Sequence, residues 1–297
     1  MNTGDNKWLP SGGGIEIFTL LLLYFFGFVF GAFAINVFLG GEAILDSIYN
    51  IRGANIIQAV FLFLIPTAIY ALLFADNKGE FLVKSPLNIK ILIFAVLTIF
   101  TILPFIETVN YYNELIPLPQ DIQDIVKQAL AENQKAYDLL FGQKTAANVL
   151  VNILVVAILP GIVEELFFRG CLQRSVIGSL RNAHIGIWVT AIVFSLLHFQ
   201  IAGFFPRIIL GALLGYLYYW TKNIWVPIIV HAANNASIVI VMQLLAEKDF
   251  YKKIQITDYS LSNAWPAAII SLLLTAGILY LIYRLKPESG SSRSQAN

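Results

Sequence analysis

Repeated apolar runs, each long enough to cross a lipid bilayer, limit the fold of this chain more than any other feature. About 20 predominantly apolar residues are needed to span the hydrocarbon as a helix. Runs of that kind lie near 15–39, 54–75, 88–106, 146–167, 184–199, 204–220, 224–245 and 264–284. The expected fold is therefore all-α, a polytopic membrane bundle of about eight transmembrane helices with one amphipathic helix outside the membrane. Composition agrees, with 58% hydrophobic and 12% charged residues. A formal net charge of +1 offers no electrostatic footprint for a nucleic-acid partner.

The organisation follows from the runs and their breaks. An N-terminal tail over 1–14 precedes transmembrane helices over 15–110, an amphipathic connection over 111–145, a polar-studded core over 146–245, a connection with the last helix over 246–286, and a disordered tail over 287–297. The first run reads as a retained helix, since no small-residue cleavage site precedes Gly40, Gly41 and Glu42. After Pro117 and Pro119, the residues Ile122, Ile125, Val126, Ala129, Leu130 and Leu140 recur mostly at three- and four-residue intervals, the spacing of one helix face. That helix is expected either to cap the spans or to gate them. Of the 19 Lys and Arg, eleven fall on the side that carries both termini, which favours a cytoplasmic location for both ends.

Within VNILVVAILPGIVEELFFRG, Glu164 and Glu165 interrupt an apolar run, with Arg169 four residues after the second. A charge inside a span is costly and marks a functional site by default. Four residues separate Glu165 from Arg169, so the two share a face and are expected to pair, while Glu164 points about 100° away toward another helix. Pro160 and Gly161 are expected to bend or pause the helix and open a recess beside the carboxylates. Two of the three histidines also fall in spans: His198, with Phe194 four residues earlier, and His231, with Asn235 four residues later. His184 follows Arg181 and Asn182 and is expected at the interface.

Glu164, His198, His231 and Asn235 suit amide hydrolysis. A carboxylate aided by an imidazole deprotonates water, and an imidazole and a carboxamide then hold the tetrahedral oxyanion. In this scheme Glu164 and His198 are the base side, His231 and Asn235 the oxyanion side, and Glu165, Arg169 and Phe194 support them. No metal or other cofactor is required. The lone Cys171 rules out an intramolecular disulfide and a cysteine-based zinc cluster, and is expected to be inert.

The segments EELFFR at 164–169, FSLLH at 194–198 and HAANN at 231–235 resemble, in order and spacing, the three motifs of the CAAX protease and bacteriocin-processing (Abi) superfamily of intramembrane glutamic proteases, which includes the CAAX prenyl endopeptidases. The resemblance covers about 145 to 245. It implies Glu164 as the catalytic glutamate, Glu165 and Arg169 as its motif companions, His198 as the water-activating histidine with Phe194 beside it, and His231 and Asn235 on the oxyanion side. It also implies a membrane-associated peptide or lipidated protein as substrate, and a bacterial plasma membrane as the location. The first 110 residues carry no family motif and are expected to add only helices. Nothing in the chain reads a prenyl group, and no motif marks a regulatory partner. Three other readings stand beside hydrolysis by metal-free water: a zinc protease using His198, His231 and Glu164 or Glu165 without an HExxH helix, a nonenzymatic Abi-like interaction or immunity protein, and a proton-coupled transporter, for which no inverted repeat is visible.

Overall fold

The computed structural model describes residues 14–74, 82–245 and 264–287. The expected tails over 1–14 and 287–297 and the connection after 245 lie almost wholly outside these residues. Nine longer helices, with a short 3-10 helix at Gly41–Asp46, make up the fold among the described residues. They are α1 (Gly14–Leu39), α2 (Ile48–Phe74), α3 (Ile89–Glu114), α4 (Gln120–Gly142), α5 (Ala146–Leu180), α6 (Ala183–Leu196), α7 (Phe204–Thr221), α8 (Trp225–Leu245) and α9 (Ala264–Leu285). No strand is present among them. The all-α expectation therefore holds, and α4 is the amphipathic helix foreseen after Pro117 and Pro119.

Six helices (α1, α2, α3, α5, α8 and α9) are long and apolar enough to cross a membrane, which makes this an integral membrane protein. Eight full spans were expected, and the two that fall short are α6 and α7. With 14 residues, α6 extends only about 21 Å, less than the hydrocarbon thickness. α7 has 18 residues but carries Arg207 and three tyrosines. Its low apolarity has a structural reason, since Pro206, Ile208, Gly211 to Gly215, Leu217, Tyr218 and Thr221 are all buried against neighbouring protein. A helix enclosed in this way needs no continuous lipid-compatible surface.

The same inversion shows in α1. Its phenylalanines Phe18, Phe25, Phe28, Phe30, Phe33 and Phe38 face outward, whereas Leu20, Tyr24, Gly27, Gly31 and Ala34 form the inward stripe. Small residues let backbones approach where lipid provides no hydrophobic drive for helix association. At Gly27 the approach is closest, because a Cβ there would overlap the carbonyl oxygen of Phe61 in α2. On the other flank, Ile91, Ala95, Ile99, Ile102 and Ile106 line one face of α3 and pack on Leu213, Leu214 and Leu217 of α7, Val226 and Val230 of α8, and Ile282 of α9.

Caps fix where the helices begin. Asn88, Thr145 and Asn182 each accept a backbone N–H from the first turn of α3, α5 and α6. Asn152 near the start of α5 joins helices: Arg52 of α2 donates to its side chain at 2.9 and 2.8 Å, and Asn152 donates to the Leu140 carbonyl of α4 at 2.6 Å. With Leu140 and Phe141 buried beside Ile48, Ile51 and Val239, the C-terminal end of α4 is anchored to the bundle.

Candidate active site

α5 supplies the two glutamates. It is not broken at Pro160; instead, the turn before it widens into a π-helical stretch, Ile153–Ile158, and a second such stretch, Leu166–Gln173, follows Glu165. Proline has no N–H to bond the carbonyl four residues back, so the ladder adjusts on its N-terminal side. Glu164 and Glu165 thus sit on a short α-helical turn, Leu159–Glu165, between two widened ones. Such π-bulges are frequent at functional sites.

Gly161 brings α5 and α8 together. A Cβ at this position would lie 3.0 Å from the Ala232 nitrogen and 3.1 Å from its Cα and Cβ, so any side chain must push α8 away. The neighbour of Ala232 is His231. G161V is therefore expected to cost about 1–3 kcal/mol through overpacking, and to depress turnover further by moving His231 relative to Glu164. Thermal unfolding in detergent together with turnover checks this, and a variant with unchanged melting and unchanged rate would contradict the close approach.

Glu165 and Arg169 pair as their spacing predicts, with Oε1 to Nη1 at 3.0 Å and both side chains fully buried. The guanidinium also donates to the Gly211 carbonyl of α7 at 2.9 Å and lies 5.2 Å from the Phe194 ring centre. One turn further along α5, Gln173 donates to the Gly215 carbonyl at 3.0 Å, so two side chains four apart grip two carbonyls four apart. The sequence did not disclose a second partner of Glu165. His231 Nδ1 lies 2.8 Å from the same Oε1, and its Nε2 is 4.0 Å from Glu164 Oε2. Glu165 thus fixes the imidazole orientation, and Glu164 lies just beyond hydrogen-bond range of the other ring nitrogen.

His198 follows the end of α6. Its Nδ1 is 2.7 Å from the Phe194 carbonyl, which can only accept, so Nδ1 carries the proton and the neutral ring presents Nε2 as an acceptor. The next residue, Phe199, has φ 52°, an uncommon left-handed conformation for a bulky side chain, where the chain turns toward α7. On α8, Asn234 donates to Asn235 Oδ1 at 3.2 Å, which leaves the Asn235 NH2 group available as a donor.

These side chains share one cavity of about 280 Å3, lined by Glu164, Phe194, His198, His231, Asn234 and Asn235 together with Ile99, Leu210, Leu213, Leu214, Val230, Ile238 and Arg207. A second recess of about 250 Å3 reaches Glu164 and Asn235 from another direction, past Asn55, Gln58, Phe63 and Pro160. A larger apolar cavity of about 360 Å3, lined by Phe105, Tyr112, Trp188, Phe205 and Trp265 among others, holds none of the candidate residues. Titratable groups, not volume, single out the smaller one.

The structure therefore brings Glu164, His198, His231 and Asn235 to one cavity, with Phe194 in its wall and Glu165 and Arg169 behind His231. Phe167 and Phe168 are packed in the core. His184 is apart from the site and within 2.8 Å of the Tyr216 hydroxyl. Cys171 is buried, as expected of an inert thiol. The N-terminal helices do more than add bulk, since Asn55, Gln58 and Ile99 line the recesses at Glu164. Together with Arg207 they are what the sequence did not reveal. Isolated polar residues in helices remote along the chain give no local sign of where they converge.

Fold and site define a polytopic helical membrane protein with a carboxylate–histidine recess inside the bundle. Residues 146–237 match the Type II CAAX prenyl endopeptidase Rce1-like family, so the resemblance carried by the three motifs holds for this chain, and that segment contains all seven candidate residues. The chain is also 33% identical over 84 residues to the uncharacterized protein YpbD of Bacillus subtilis (strain 168), an alignment spanning 27% of this chain and 40% of that relative. No solved structure matches it.

Proposed function

We propose that the protein is an intramembrane, glutamate-dependent endopeptidase that hydrolyses a peptide bond in a membrane-associated peptide or lipidated protein. The observation that carries this reading is the convergence, on one cavity in the bundle, of a carboxylate, an imidazole acceptor and a free carboxamide donor: Glu164, His198 and Asn235. In the reaction, water donates one proton to Glu164 and its other O–H to His198 Nε2, which aims its lone pair at the scissile carbonyl. The hydroxide adds to the carbonyl carbon, and the oxyanion is held by the Asn235 NH2 group. His231 joins it when doubly protonated, with Nδ1 kept on Glu165 and Nε2 as second donor. Glu164 then passes its proton to the amine nitrogen as the C–N bond breaks, leaving a new carboxylate and a free amine. The apolar lining from Ile99, Leu210, Leu213 and Leu214 suits a substrate segment that enters from lipid, prenylated or otherwise anchored.

The zinc alternative has a separate test. Among the described residues, no group of three His, Cys, Asp or Glu side chains is arranged to hold a metal ion. Treatment of the purified protein with a zinc chelator is expected to leave the yield of cleaved peptide unchanged. Loss of cleavage that added zinc restores would transfer the chemistry to a metal.

A further inference from the structure

We propose that Arg207 receives a carboxylate of the substrate in the hydrolytic cavity, so that the recess selects peptide segments carrying an anion near the bond to be cut. This rests on the hydrolytic reading above. Arg207 stands in the first turn of α7 and lines the same cavity as Glu164, His198, Asn234 and Asn235. Its Nη1 donates to the Gln200 side-chain oxygen at 3.2 Å, and its Nη2 donates to the carbonyls of Gln200 and Ala202 at 2.6 and 2.9 Å. The Nε is buried without an acceptor.

Every one of these acceptors is neutral, and no carboxylate pairs with Arg207 among the described residues. The contrast with Arg169 is informative. That guanidinium is fully buried and Glu165 balances it at 3.0 Å, whereas Arg207 is half-buried with its Nε enclosed. Arg207 keeps a net positive charge on the wall of a mostly apolar cavity, a costly arrangement unless an anion completes it. Its contacts hold it in place across the loop after His198, which preorganises the fork for a planar anion. Guanidinium pairs bidentately with carboxylates, and carboxylates are the anions an unmodified peptide brings. The N-terminal end of α7 adds its own positive pole. The cavity of about 280 Å3 is at the small end for ligand clefts, so a carboxylate on Arg207 would lie only a few residues from the carbonyl at Glu164. Two sources of that carboxylate fit, the substrate's chain terminus and an acidic side chain.

The test uses the full-length protein in detergent and a fluorescent peptide with one S-prenylated cysteine followed by three apolar residues. It is made as the free acid, as the carboxamide, and as the carboxamide with a glutamate in last place. Wild type is expected to cleave the free acid about 10- to 100-fold better than the plain carboxamide, as a hydrogen-bonded charge requires. R207Q is expected to lose the preference, its ratio of acid to carboxamide rates falling to about one, whereas damage to the 198–203 loop would lower both rates and leave their ratio in place. Recovery with the glutamate-bearing carboxamide assigns the anion to any nearby carboxylate, and no recovery assigns it to the chain terminus. The same peptides are titrated onto E164Q and onto E164Q/R207Q, so the preference is read in binding even if nothing is cleaved. Cleavage of acid and carboxamide at equal rates by wild type, or an acid preference that survives R207Q, overturns the role of Arg207 while leaving the hydrolytic reading intact. Absence of cleavage with an Arg207-dependent binding preference overturns the hydrolytic reading instead. If R207Q fails to fold, the wild-type comparison of acid with carboxamide decides.

Discussion

Replacing Glu164 with glutamine is expected to reduce turnover by at least about 10³-fold while the protein folds and inserts normally. The glutamine is nearly isosteric and keeps a hydrogen-bonding side chain in the cavity wall, so packing changes little. On the proposed mechanism, what disappears is the group that takes a proton from water and returns it to the departing amine. His198 retains its bond to the Phe194 carbonyl and still accepts through Nε2, but an imidazole alone leaves the leaving group without its acid. Substrate binding should survive, because the apolar lining and Arg207 are untouched. Measured rates and affinities on one membrane-anchored peptide distinguish these terms, and an E164Q protein with wild-type turnover would remove Glu164 from the chemistry.

The second large effect concerns stability and activity together. E165A leaves the Arg169 guanidinium buried without its carboxylate, and R169A removes the charge that balances Glu165. Each is expected to cost about 3–5 kcal/mol, the penalty for breaking a buried ion pair on one side. Replacing both with apolar residues of similar volume, as in E165L/R169M, should restore most of that stability, since buried pairs are often matched by good packing. Turnover should not return with it. His231 Nδ1 would have lost the acceptor at 2.8 Å that sets its orientation against Glu164. Thermal unfolding of the two single variants and the double variant, beside their turnover, resolves the point. A double variant that is stable and fully active would show that Glu165 serves packing only.

That triad shows what a linear reading can reach. The Glu165–Arg169 pair was legible because it is local: four residues on one helix must share a face. The eight apolar segments were legible for the same reason, and each is helical, although α6 is too short for a full crossing and α7 is too polar and aromatic to count as one. The Glu165–His231 bond joins residues 66 apart in the chain, and only the packing of α5 on α8 at Gly161 creates it. Nothing in the sequence set Arg207 apart, because its partners are a neighbouring glutamine and loop carbonyls whose positions depend on the turn at Phe199. Asn55 and Gln58 gave no sign at all, since α2 carries no motif and meets Glu164 only through tertiary contact. Pro160 was legible as a perturbation but not in kind. A bend was the simplest expectation, and the helix instead widened a turn.

The most direct measurement is cleavage of a membrane-associated peptide mixture by purified wild type and by E164Q in water enriched in 18O, with the fragments read by mass spectrometry. If Glu164 activates water, wild type releases fragments whose new terminal carboxylates each carry one 18O, a chelator leaves them in place, and E164Q gives none. Labelled fragments of equal yield from E164Q, or none from folded wild type, would contradict a glutamate-based intramembrane protease.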